Sequence, residues 1–261
     1  MAEYIPWLTA LGLAMARPLG VLLIFPVFTT HSLGSSLLRN GLLVAIALPI
    51  TPITISSSLI HSHILIHWCF AIMMELVIGV TIGFFAALPF WAIEMAASLI
   101  DTMRGATMAS AINPTMGMQS SVFGILFSQV LSVLFLIAGG FNSLLRVIYG
   151  SYDLLYPGEK ILFFGEKLFS FIKMQWGLMF ELCFNFALPA LLVMLITDLS
   201  LGLINRSAQQ LNVFFLAMPI KSIMALFLLL ISLPFAFHHY LNEIKHIEKN
   251  MTYLVKILKS G

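Results

Sequence analysis

Between Gly202 and Lys221 one arginine, Arg206, and four side-chain amides, Asn205, Gln209, Gln210 and Asn212, are set between two strongly apolar runs. These groups donate and accept hydrogen bonds and one carries charge, but none is a nucleophile. Their chemistry is recognition: pairing with water, with backbone or with another chain. An arginine at the centre of a bilayer costs roughly 2.5–3.5 kcal/mol on insertion scales, and unpaired amides add to that. Asp198 precedes the patch and Lys221 closes it. A loop at the membrane surface is one reading. Because Leu199–Ile204 is apolar and the apolar run resumes at Leu211, a buried hydrogen-bonded island is the stronger one.

A second constellation lies at Glu94, Asp101 and Arg104. Asp101 and Arg104 are spaced i, i+3, so on a helix they pair and lower each other's burial cost. Glu94, seven residues before Asp101, shares its face. The trio is either a polar seam facing a pore or partner subunit, or a helix end among lipid headgroups. Glu94 and Arg104 stand about 15 Å apart along a helix, too far for both to sit at one membrane edge, which favours the seam. Glu75 is the first acidic or basic residue after Arg39 and is counted with the buried polar groups.

Met103, Met108, Met116 and Met118 surround Asn113-Pro114. Methionine packs adaptably, so the cluster is either a deformable closure of a conduit or ordinary filler. His61, His63 and His67 have no accompanying acid or well-spaced thiol, and read as an interfacial cluster, not a metal site. Cys69 and Cys183, far apart in apolar surroundings, read as buried free thiols. No phosphate-binding loop, zinc-protease motif or nucleophile elbow occurs. Neither an enzyme nor a bound cofactor is expected, and a net charge of +2 over 261 residues gives no reason to expect nucleic acid as a partner.

The elements that must position these residues are membrane helices. The chain is 60% hydrophobic and 9% charged, with mean hydropathy +1.02; a soluble domain carries about 25% charged residues. Apolar residues fall in continuous blocks, unlike the alternating strands of outer-membrane barrels. Taking about 20 residues per crossing, the blocks give an all-α membrane protein of bent and broken helical hairpins, with about six apolar spans. The first runs from Ile5 to Phe28, with Pro18 kinking it and freeing a carbonyl. The tract after Arg39 is split at Pro49–Ser58, and the next element runs from Ile64 to Leu88, where Pro89 ends or bends it. A helix from Phe90 to Ser110 breaks at Asn113-Pro114. Val122–Ile148 has a weak point at Gly139-Gly140. Tyr149–Gly165 reads as a loop, followed by Lys167–Thr197 and Leu211–Phe235. Gly79-Val-Thr-Ile-Gly83 permits close helix packing. Residues 1–239 thus form the integral membrane domain. Residues 240–261 form an amphipathic helix with an apolar stripe, Ile244, Ile247, Met251, Leu254, Val255 and Leu258, and lysines mostly off it. That tail is expected at the cytoplasmic side, on lipid or against a partner. The N-terminus lacks the basic region of a cleaved signal peptide.

The stretches Asp101–Pro114, Asn205–Phe214 and Met218-Pro-Ile-Lys221, with Arg17-Pro18, Arg39-Asn40-Gly41 and Phe90–Glu94, resemble the export-gate subunit of type III secretion systems, the SctT family with its flagellar relative FliR. The wording of Asp101–Ala106 and Met218–Lys221 is closer to the injectisome branch than to the flagellar one. Ser207-Ala-Gln209 departs from the Ala-Pro-Gln common in the family. The resemblance implies a non-enzymatic core component of the bacterial inner-membrane export apparatus. It would assemble with two smaller gate subunits and larger apparatus proteins into the closed channel entrance for unfolded secreted substrates. It also implies that not every hairpin crosses the bilayer, and that Ala109–Ser121 acts as a plug, with Met108, Ile112, Asn113, Pro114, Met116, Gly117 and Met118 as its gate residues. Glu75, Glu94, Asp101, Arg104, Asp198, Asn205, Arg206, Gln210 and Lys221 are the expected buried or assembly contacts. A secondary transporter for a small solute is the rival reading, since broken helices with mid-membrane polar groups suit such a site.

Overall fold

A computed structural model of the protein describes residues 4–29, 34–55, 65–106, 121–158, 165–207 and 213–260. Among these, the regular structure is entirely helical. The helices are α1 (Tyr4–Ile24), α2 (Ser36–Ala47), α3 (Thr51–Ile55), α4 (Leu65–Met103), α5 (Val122–Ile137), α6 (Gly140–Leu154), α7 (Glu166–Ser207) and α8 (Val213–Ser260), with single 3-10 turns at Pro26–Phe28 and Leu48–Ile50. Four segments are long and apolar enough to span a membrane: Pro6–Ile24, Ser36–Ile55, His67–Met103 and Glu166–Ser207. The pair α5–α6, broken at Gly139-Gly140, makes a fifth if counted as one span. Within α8 the described residues add a further apolar stretch, Leu216–Ile231.

Pro89 was expected to end or bend its helix, and Pro219 to lie inside a span. Pro89, Pro189, Pro219 and Pro234 all lie inside continuous helices. Each proline removes one N–H and so releases one carbonyl a turn earlier, while apolar packing on either side keeps the flanking turns in register. Helices α4, α7 and α8 consequently reach 39, 42 and 48 residues. These correspond to about 58, 63 and 72 Å, well beyond the roughly 30 Å hydrocarbon core. The expected loop at 149–165 is also partly helix, since α6 runs to Leu154.

The chain divides into two compact units. One comprises Met1–Leu88, Phe135–Trp176 and Glu243–Gly261; the other comprises Pro89–Leu134 and Gly177–Asn242. In the first unit α1 packs on α2 and α3, and the Thr54 hydroxyl donates to the Ala10 carbonyl at 3.0 Å. Helices α1 and α4 approach to backbone contact through glycine. A Cβ on Gly79 would lie 2.0 Å from the Arg17 carbonyl oxygen, and one on Gly83 would lie 2.9 Å from Val21 Cα. The small-residue pattern therefore serves packing inside the chain. Aromatic contacts of Phe25 with Phe28 and Phe135, and of Phe85 with Phe171, complete this core.

The amphipathic tail is continuous with α8. Its stripe of Ile244, Ile247, Met251, Leu254, Val255 and Leu258 is buried. In the same unit Ile244 approaches Gly140, and Tyr253 packs on Phe171. The surface expected to meet lipid or a partner is thus satisfied at home. In the second unit Phe127 packs edge-on against Phe186, and the Tyr240 hydroxyl donates to the Leu182 carbonyl. Cys183 is buried as expected, whereas Cys69 is exposed in the chain taken alone.

Candidate functional site

Two polar centres are built into these helices, one in each unit. The first begins with Pro18. Its missing N–H leaves the Ala14 carbonyl without a helical partner, and the Tyr152 hydroxyl on α6 donates to that oxygen at 3.1 Å. The Tyr152 ring then lies 3.9 Å from the Arg17 guanidinium carbon, in cation–π range. Arg17, which is 0% exposed, forms a two-pronged pair with Glu75 of α4: Nε donates to Oε2 at 2.7 Å and Nη2 to Oε1 at 3.1 Å. Its other donors reach Ser151 Oγ and the Leu155 carbonyl, each at 2.9 Å. A buried charge pair is tolerable only when its remaining hydrogen-bonding capacity is met, and here four bonds from one guanidinium do so. The centre fastens α1, α4 and the C-terminal end of α6.

Glu75, counted among the buried polar groups, is buried and finds its cation within its own chain. Arg17, Ser151 and Tyr152 were missed as a site. The signal was present: Arg17 and Glu75 are lone charges in two otherwise apolar spans, and each such residue demands a partner.

The second centre surrounds the ends of residues 107–120. Asp101-Thr-Met-Arg-Gly-Ala106 stops α4 by a Schellman turn: Ala106 N–H bonds the Asp101 carbonyl at 3.0 Å and Gly105 N–H the Thr102 carbonyl at 3.1 Å. Gly105 supplies the positive φ, 88°, that this stop requires. Across the segment, Ser121 caps α5, its Oγ accepting from Gly124 N–H at 2.8 Å. The Asp101 carboxylate joins the two ends. Its Oδ2 accepts from Ser121 Oγ and, at 3.3 Å, from Phe123 N–H. A negative group at a helix N-terminus is favoured by the backbone dipoles. Arg104 Nε stands 2.7 Å from Asp101 Oδ1 as a charge contact not aligned as a hydrogen bond, and its guanidinium carbon is 4.3 Å from the Phe123 ring.

Lys221 of α8 completes this base. Its Nζ contacts Asp198 Oδ1 of α7 at 2.5 Å and donates to the Met103 carbonyl at 3.3 Å. A cation on the last carbonyls of α4 again matches the helix dipole. Asp101, Arg104, Asp198 and Lys221 are thereby brought together about one base, with Ser121 as the missed member. Its signal was a serine immediately before an apolar helix.

Glu94 does not join that base; it is exposed on α4, with its side-chain stem beside Gly124. Asn205 and Arg206 are exposed on the last turn of α7. The patch is thus helical at its start, where its described residues are exposed. Gln209, Gln210 and Asn212 lie outside the described residues. So do Met108, Ile112, Asn113, Pro114, Met116, Gly117 and Met118, and with them all of the expected plug but Ser121.

Residues 8–247 match the family model described as bacterial export proteins, family 1. The chain is 48% identical over 238 residues to the secretion system apparatus protein SsaT of Salmonella typhimurium, covering 91% of this chain and 92% of that protein. It is 36% identical to the Yop proteins translocation protein T of Yersinia pestis, over 84% of each chain. The flagellar biosynthetic protein FliR of Pectobacterium carotovorum is 28% identical, over 93% of this chain and 92% of the relative.

Proposed function

The chain belongs to the bacterial export proteins, family 1, as a non-enzymatic, multi-pass component of the type III export apparatus in the inner membrane, and from that premise we propose that it is a core gate subunit. With partner membrane subunits it forms the closed entrance through which unfolded secretion substrates pass. The observation that carries this reading is the Asp101 carboxylate, which ties together the two helix ends flanking residues 107–120. The chain leaves and re-enters at one place, since Asp101 on one side of residues 107–120 bonds Ser121 and Phe123 on the other. A loop rich in methionine is suited to seal an irregular passage. Higher identity to the secretion and Yop-translocation relatives than to the flagellar one supports the secretion branch.

The exposed Arg206 at the end of α7 is the assembly contact in this proposal. An unpaired cation beside apolar helix is costly in a membrane, so a partner's acid or carbonyls must receive it. In the co-expressed assembly, Arg206→Ala is expected to lower the yield of the two smaller membrane subunits recovered with this chain, while the chain itself still inserts. Full recovery of both would remove Arg206 from the interface.

A further inference from the structure

In the second unit an open cleft of about 710 Å³ lies between α4 and α7. One wall is Trp91, Glu94, Met95, Ser98, Leu99 and Thr102, spaced as consecutive turns along a single face of α4. The other is Phe180, Cys183 and Phe184, again at i, i+3 and i+4 on α7. The α4 wall runs over twelve residues, Trp91 to Thr102, about 16 Å or three helical turns. Two helix faces carrying bulky side chains with a trough between them are a shape into which a third helix packs.

Among the described residues, Glu94 is the one acidic or basic side chain lining the cleft. Three other acids on the membrane helices have internal cations, Arg17 for Glu75, Arg104 for Asp101 and Lys221 for Asp198, whereas Glu181 of α7, outside the cleft lining, is exposed without one among the described residues. No described cation lies within ion-pair distance of Glu94. The Thr102 hydroxyl is spent on the Ser98 carbonyl at 2.8 Å, so it does not answer the carboxylate either. An ionised carboxylate in an apolar trough calls for a positive charge from outside.

We infer that this cleft is the docking site for an apolar helix of a partner membrane protein that presents a lysine or arginine to Glu94. The inference deepens the gate reading by assigning one assembly contact its chemistry. A helix without the cation would fill the volume and leave Glu94 stranded. A cation without the helix would leave the aromatic walls uncovered.

The test uses the full chain in phosphatidylcholine vesicles, with a donor fluorophore attached beyond Gly261. Three synthetic single-span leucine–alanine helices carry an acceptor and differ in one central residue: Lys, Glu or Leu. The lysine helix is expected to associate roughly tenfold or more tightly than the other two, by energy transfer. Glu94→Gln should erase the preference, and Glu94→Lys should reverse it toward the glutamate helix. A reversed preference cannot arise from misfolding. Equal association of all three helices, or a lysine preference that survives Glu94→Gln, overturns the inference. Self-association of donor- and acceptor-labelled copies that is lost in Glu94→Lys also overturns it, by making a second copy the occupant. The gate reading stands whichever way these helices bind, because the assay contains no export partners.

Discussion

At the scale of single residues, the account rests on charges that find partners inside an apolar chain. Arg17 and Glu75 are both almost completely buried, and removing one leaves the other charged and unmet. Arg17→Met is therefore expected to cost about 3–5 kcal/mol, whereas the double variant Arg17→Met with Glu75→Leu should recover most of that loss. Unfolding of the detergent-solubilised chain measures both, and additive losses would show that the pair is not coupled. The sequence made these residues conspicuous as lone charges but could not join them, because 58 positions separate them. Pro18 shows where reading succeeds: the freed carbonyl was foreseeable from proline chemistry, and the structure supplies Tyr152 as its donor. Asp101 and Arg104 were readable as a pair because a helix fixes their spacing. The bond from Asp101 to Ser121 was not, since it depends on how the chain returns after residues 107–120.

At the scale of elements, composition and hydropathic blocks made the helical membrane class plain, and they located most helix starts. Boundaries were harder. Pro89 was read as an end or a bend because local chemistry disfavours proline in a helix, and the apolar run on both sides carries α4 through it as one helix. Asp198 and Arg206 were read as an island between helices for their polarity, yet they ride on α7. The amphipathic tail was correctly periodic, but periodicity shows that a stripe will be buried without saying against what. The stop of α4 and the start of α5 carry a separable expectation. Gly105→Ala forces a side chain into positive φ at a cost of about 1–2 kcal/mol, and Ser121→Ala removes a cap worth about 0.5–2 kcal/mol. Amide exchange should show both losses concentrated at the ends of α4 and α5, with the Arg17 centre unaffected. A uniform increase in exchange across the chain would mean that these caps are not local.

At the scale of the whole molecule, one chain carries two kinds of polar group. Those with internal partners, around Arg17 and around Asp101, hold helices in place. Others, Glu94 and Arg206 among them, are exposed with no ion-pair partner among the described residues, and in the proposed reading they meet neighbouring subunits. Residues 107–120 sit between these roles: their base is fastened internally, while their proposed work is done in a passage shared with other subunits. The expected plug came from a family resemblance and from its methionines; its hold at the base came only from the geometry of Asp101 and Ser121. Deleting Thr115–Ser120 spares the Schellman stop, the Ser121 cap and the carboxylate joining them, so it shortens the loop without dissolving its base. The decisive quantity is ion conductance across a planar bilayer containing the assembled complex with this deletion. The account predicts conductance clearly above that of the intact assembly at the same protein density; conductance equal to the intact assembly, with subunit composition unchanged, would contradict it.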